Sequence, residues 1–154
     1  MGRNPVRFFF VPARARRSLC LCSNMGMIEV VAAILERDGS VLIGRRQPHQ
    51  AHPLQWEFPG GKVEPGESPP QALERELEEE LGIRHAAGEE LARYQYTYPG
   101  KLPITLIFFR ITSFQGEPQN LIFHELRWEP RAHLASFDFV AGDLPFLHGF
   151  ARPA

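Results

Sequence analysis

Gly61 to Ile83 reads GKVEPGESPPQALERELEEELGI. From Gln71 to Leu81 there is no glycine or proline, the residues are good helix formers, and Gly82 is a natural helix stop. On such a helix Glu76, Glu79 and Glu80 stand three and four positions apart and share one face. Leu73, Leu77 and Leu81 repeat every four residues and predict a buried stripe beside that face. Three neighbouring carboxylates repel one another at neutral pH, which is costly unless a cation compensates. Hard oxygen ligands favour Mg²⁺ or Mn²⁺ over zinc. The plain alternative is a solvated acidic helix face, and Glu74 and Glu78 on the far side fit it. Gly60 to Pro70, dense in glycine and proline, predicts a loop before the helix.

Working outward, the chain alternates between strand and turn signals. Ile28 to Leu35 is apolar and β-branched, Asp38-Gly39 supplies a turn, and Val41 to Arg46 answers as a second strand. Residues 47–53 form a polar loop, and Trp56 to Pro59 a short extended piece. Leu91 to Tyr98, Ile104 to Ile111 and Ile122 to Trp128 read as strands. Arg131 to Ala135 and Asp143 to Phe150 are short helix candidates. The sum is an α/β (α+β) architecture, a mixed β-sheet sandwiched between helices.

Composition narrows the functional classes. With 154 residues the chain suits one domain, and its 44% hydrophobic and 23% charged residues are those of a globular protein. No apolar run approaches the roughly 20 residues of a membrane helix, so no membrane partner is expected. Residues 1–26 hold five arginines and no acid. Removing that +5 from the formal −1 of the whole leaves −6 for the rest. An acidic body is a poor binder of polymeric nucleic acid, which needs clustered cations, but can host a divalent cation and hence a phosphorylated small molecule. The basic segment 1–26 loosely resembles an organellar transit peptide; a disordered arm or an upstream start codon is the plainer reading, with the domain spanning 27–154. Cys20 and Cys22 lack the second ligand pair of a zinc site, and the absence of a disulfide framework fits a reducing cytoplasm. His49 and His52 have H-x-x-H spacing but sit in a loop without partner ligands, and read as surface residues.

Gly61, five residues, Glu67, seven residues, then Arg75-Glu76-Leu77, one residue, Glu79-Glu80, one residue, Gly82-Ile83 match every position of the Nudix box. Nine restricted positions in 23 residues rarely coincide by chance. The chain therefore resembles the Nudix hydrolases, which cleave a nucleoside diphosphate linked to another moiety with a metal-holding loop-helix-loop catalytic motif. The resemblance implies that Glu79 and Glu80 are metal ligands, with the Gly60 carbonyl completing the inner shell. Glu76 becomes a metal ligand or the base that activates water. Arg75 orients the glutamates, Glu67 braces loop against helix, Gly61 leaves room for close approach, and Gly82 ends the helix.

The likeness continues outside the box, in MIEVVAAILERDGSVLIGRR, LQWEFPGGKVEPGES, the GEP at Gly116 and the ELRW at Glu125, and is similar to the MutT branch over roughly residues 27–150. That branch implies a Mg²⁺-dependent nucleoside triphosphate pyrophosphohydrolase, a monomer or dimer, releasing the monophosphate and pyrophosphate. By position Arg46 and Lys101 would meet phosphate or sugar, Phe58 would line the base pocket, and Asp143 would read the base edge. Each has an ordinary alternative: Phe58 as core, Lys101 as loop charge, Asp143 as the cap of the last helix. The branch often carries a further metal-binding glutamate after GEP, where ungapped register places Ile122; Glu125 is the nearby choice. The first expectation for the substrate is 8-oxo-dGTP, in clearing oxidised nucleotides. CTP or dCTP is the alternative, since MIEVVAAILERDG and Asp143 also resemble that subgroup. A nucleotide-sugar or dinucleotide hydrolase shares the box. A non-catalytic recognition module would be expected to have lost box glutamates, and all are present here.

Overall fold

The computed structural model describes residues 26–152; the basic segment, with Cys20 and Cys22, lies outside the described residues. Among the described residues, eight strands divide between two sheets. In the first, β1 (Ile28–Ile34), β5 (Gly60–Lys62), β6 (Arg84–Tyr96) and β7 (Ile104–Gln115) run in the order β5-β1-β7-β6. β1 and β7 are parallel and the other pairings antiparallel, so this sheet is mixed. In the second, β3 (Ser40–Arg45) pairs antiparallel with β2 (Glu36–Arg37), β4 (Trp56–Glu57) and β8 (Glu125–Pro130). The first is the mixed sheet expected between helices, and the second, antiparallel sheet accompanies it. Each strand's hydrophobic pattern marks it as a strand but cannot say which partner it takes.

β1 and β7 are apolar on both sides, and their alternation feeds two cores. Val31, Ala33, Ile107 and Phe109 face the helix α1 (Pro69–Leu81), where Leu73, Leu77 and Leu81 are fully buried, as the four-residue repeat predicts. Ala32, Ile34, Leu106 and Phe108 face the other way, against Phe58, Phe139 and the short helix α2 (Leu144–Phe150). A sheet covered on both faces makes such continuous apolar runs.

Two boundaries differ from the sequence reading for identifiable reasons. α1 begins at Pro69 rather than Gln71. The first helical turn has no use for its amide hydrogens, so proline is tolerated there, and Ser68 and Gln71 close a reciprocal capping box. Gly60 to Lys62, expected as loop, is a strand, with Val31 opposite Gly61 and Ala32 opposite Gly60. A Cβ at Gly60 would lie 2.0 Å from the Val31 carbonyl oxygen, so the glycine that looks like a breaker is what lets β5 close on β1. Residues 131–136 form a 3₁₀ turn, and a second one, Ala141–Asp143, leads into α2.

Candidate active site

β5 and α1 place the acidic face. Gly61 is packed so closely that a Cβ would meet the Glu76 carboxyl carbon at 2.4 Å. That glycine is a cradle for a carboxylate. Arg75 is the hub of the surrounding network. Its Nε and Nη2 donate to Glu67 at 2.8 and 2.9 Å, Nη1 donates to Glu76 at 2.9 Å and Glu79 at 3.3 Å, and Nη2 also reaches the Lys62 carbonyl at 3.0 Å. The Glu67 carboxylate accepts the Glu64 amide as well, so loop and helix share one fork. The Arg75 guanidinium holds the Glu67 carboxyl below its usual range, whereas burial pushes Glu76 up against the same guanidinium.

Glu80 is the outlier. It is buried, 8% exposed, and accepts the Gly60 amide hydrogen at 2.9 Å. Burial, with the charges of Glu57, Glu76 and Glu79 added, pushes its carboxyl up to about 9, only partly offset by the Gly60 amide. Glu79 is turned toward solvent, with a side chain 58% exposed. Among the described residues no three acidic, histidine or cysteine side chains converge closely enough to enclose an ion. The donor set nevertheless fits a hard divalent cation. It is all oxygen, it sits around a glycine cradle, and its most buried carboxyl can ionise at neutral pH only if positive charge comes near.

The cavity beside this face, about 250 Å³, is lined by Arg46, Glu57, Phe58, Gly60, Glu80 and Asp143 among others. Arg46, Phe58 and Asp143 were expected there. Arg46 is engaged by Glu57 at 2.7 Å and by the Ala51 carbonyl at 2.6 Å. Phe58 is 3% exposed and meets Phe108 and Phe146 edge-on, so it is both core and cavity wall. Asp143 stands at the start of α2 yet makes no capping bond. Its Oδ2 accepts the Phe58 amide at 3.3 Å, and burial raises its carboxyl to about 7. Glu57 was missed. Flanked by Trp56 and Phe58, it reads as one polar residue in a short extended piece, and only its pairing with Arg46 across β3 and β4 reveals it.

Lys101 and Glu125 stand apart. Lys101 is exposed in the turn after β6. Glu125 lies on β8 opposite Arg45, where Arg127 engages its carboxylate, while Ile122 lines the cavity. His49 and His52 are exposed, as expected of surface residues, and do not line the cavity. A larger depression of about 410 Å³ lies around Leu91, Tyr94, Phe146 and Phe150; it carries no acidic group, so the chemistry is assigned to the smaller cavity. No helix among the described residues is long and apolar enough to cross a membrane.

The profile of the NUDIX domain family matches residues 26–150. An Escherichia coli K12 protein named CTP pyrophosphohydrolase is 42% identical over 135 residues, 84% of this chain and 99% of that protein. A Haemophilus influenzae 8-oxo-dGTP diphosphatase is 36% identical over 79% of this chain and 90% of its own. Among solved structures, the solution structure of the Escherichia coli ORF135 protein has a TM-score of 0.72 at 42% identity, covering 83% of this chain and 94% of that one. A MutT structure from work on Aliivibrio salmonicida and Vibrio cholerae has a TM-score of 0.70 at 31% identity, covering 82% and 98%.

Proposed function

The chain belongs to the NUDIX domain family, and from that premise we propose a nucleoside triphosphate pyrophosphohydrolase that uses Mg²⁺ or Mn²⁺ and releases monophosphate and pyrophosphate. The observation that carries this reading is that one cavity joins Glu80, from the carboxylate face of α1, and the Gly60–Gly61 backbone to Phe58 and Asp143. Glu79, Glu80 and the Gly60 carbonyl would hold the cation, with Glu76 as a further ligand or as the base that activates water. When bound, it supplies charge neutralisation to the phosphate chain and acidifies water. Arg75 holds one oxygen of Glu76, fixing the carboxylate so that its second oxygen can take a proton from the attacking water. Arg46, already fixed by Glu57 and Ala51, stands at the cavity wall where phosphate or sugar would pass.

The base is read at the other end. Phe58 supplies an apolar wall that tolerates any ring, so discrimination falls to Asp143. Its carboxyl is held by a single long hydrogen bond and spends nothing on capping α2. 8-oxo-dGTP is the substrate of the leading reading. CTP or dCTP is a second reading, favoured by the 42% identity to a CTP pyrophosphohydrolase. Asp143 could accept from a guanine ring N–H and amino group or from a cytosine amino group.

The test compares kcat/KM for 8-oxo-dGTP, dGTP, CTP and dCTP in the parent protein and Asp143→Ala. Leaving a base edge or its reader unpaired costs about 1–3 kcal/mol, so preference should flatten by roughly ten- to a hundredfold. An unchanged preference ratio with a lowered melting temperature would retire Asp143 as the base reader.

A further inference from the structure

Asp143 is itself poorly anchored. Its side chain has one hydrogen bond, 3.3 Å long, and its place depends on the backbone around it. That backbone is gripped from the end of β6 and the residues just after it. The Tyr94 hydroxyl donates to the Gly142 carbonyl at 2.7 Å and accepts the Phe146 amide at 3.3 Å. The Tyr98 hydroxyl accepts the Gly142 amide at 3.0 Å. Both polar groups of the residue before Asp143 are therefore held by tyrosine hydroxyls from one segment. The approach is close: a Cβ on Gly142 would lie 2.6 Å from the Tyr98 oxygen and 3.1 Å from Leu106 Cδ1, so glycine is the residue that admits the grip.

The spacing explains why two tyrosines can do this. Along an extended chain, residues four apart lie on the same face, and both hydroxyls reach Gly142 just before α2. Each ring is also fixed. Tyr94 stacks on Phe108 at 5.6 Å, and Phe108 meets Phe58 edge-on at 6.2 Å. Tyr98 is held between Tyr96 at 4.9 Å and His52 at 4.7 Å. Neither tyrosine lines the cavity of the candidate site, so neither is placed to touch substrate.

We propose that Tyr94 and Tyr98 are positioning residues that set base selectivity by clamping the Gly142 peptide and so fixing the Asp143 carboxylate. The proposal rests on the reading of Asp143 as the base reader. Removing one hydroxyl leaves the ring packing in place and frees one end of the clamp. Asp143 can then meet the wrong base edge with less penalty.

The test is a double-mutant cycle on the full chain, using Tyr94→Phe, Tyr98→Phe, Asp143→Ala and the tyrosine changes combined with Asp143→Ala. The readout is the ratio of kcat/KM between the preferred nucleotide and its best competitor among 8-oxo-dGTP, dGTP, CTP and dCTP. That ratio does not depend on the fraction of folded enzyme, so a purely structural role would move the melting temperature and leave it alone. Each tyrosine change is expected to lower the ratio about threefold to tenfold, and to have no further effect once Asp143 is alanine. Unchanged ratios in both tyrosine variants, with Asp143→Ala flattening selectivity, would overturn the clamp and leave the base reader standing. A tyrosine effect that persists without Asp143 would overturn the route through that residue. An unchanged ratio in Asp143→Ala would overturn the base reader and the clamp with it.

Discussion

Glu80→Gln is expected to lower kcat by at least about 10²-fold while leaving the melting temperature unchanged or higher. Glutamine keeps the shape, and its carbonyl oxygen can still accept the Gly60 amide hydrogen that Glu80 takes at 2.9 Å. What it removes is the group that can ionise, in a buried position surrounded by Glu57, Glu76 and Glu79. For the fold its charge is a burden, so the metal-free folded chain keeps the group protonated where the unfolded chain does not. For the proposed chemistry it is indispensable, because a neutral amide is a weak ligand for a hard cation. Stability and activity should therefore part company at this residue. A variant retaining turnover within tenfold of the parent would remove Glu80 from the ligand set. Glu79→Gln should show the same loss, and its exposed side chain gives no reason for a change in stability.

The same charge makes the metal-free protein sensitive to pH. A carboxyl raised from 4.5 to about 9 by burial keeps, in the folded state, a proton that the unfolded chain releases. Between those values the folded state binds more protons, so unfolding becomes easier as pH rises. Asp143, raised to about 7, contributes with the same sign over the lower part of this window. Glu67, lowered by Arg75, acts with the opposite sign but only below the usual carboxylate range. In chelator the melting temperature should thus fall by several degrees between pH 5 and pH 9. Adding Mg²⁺ at pH 8 should raise it again, by selective binding to the folded, ionised form. Glu80→Gln should flatten the pH slope and remove most of the Mg²⁺ response. A slope and a response that both survive in that variant would mean the cation acts somewhere else.

The candidate site was legible in the sequence to the extent that one helix carries it. The Glu76, Glu79 and Glu80 spacing and the Leu73, Leu77 and Leu81 stripe are local, and a helix converts local spacing directly into faces. Arg75 and Glu67 are eight residues apart within the same motif, and their side chains form an ion pair. What escaped depends on distant pairing. β5 reads as a glycine-rich loop until β1 is laid beside it. Glu57 becomes a cavity residue only because β3 and β4 bring Arg46 to it. Tyr94 and Tyr98 alternate like any strand residues, and only the return of the chain at Gly142 gives their hydroxyls partners. Lys101 and Glu125 show the reverse: sequence position put both near the chemistry, while the turn after β6 and the pairing of β8 with β3 keep them outside the cavity.

What the protein does to the phosphate chain decides whether it is a pyrophosphohydrolase. Purified protein should be incubated with 8-oxo-dGTP and, separately, CTP in Mg²⁺, with the phosphorus-containing products resolved by anion-exchange chromatography. Nucleoside monophosphate and pyrophosphate are expected in equal amounts from at least one of the two, with no product when the cation is chelated. Release of orthophosphate and nucleoside diphosphate, or undiminished turnover in excess chelator, would overturn the proposed reaction.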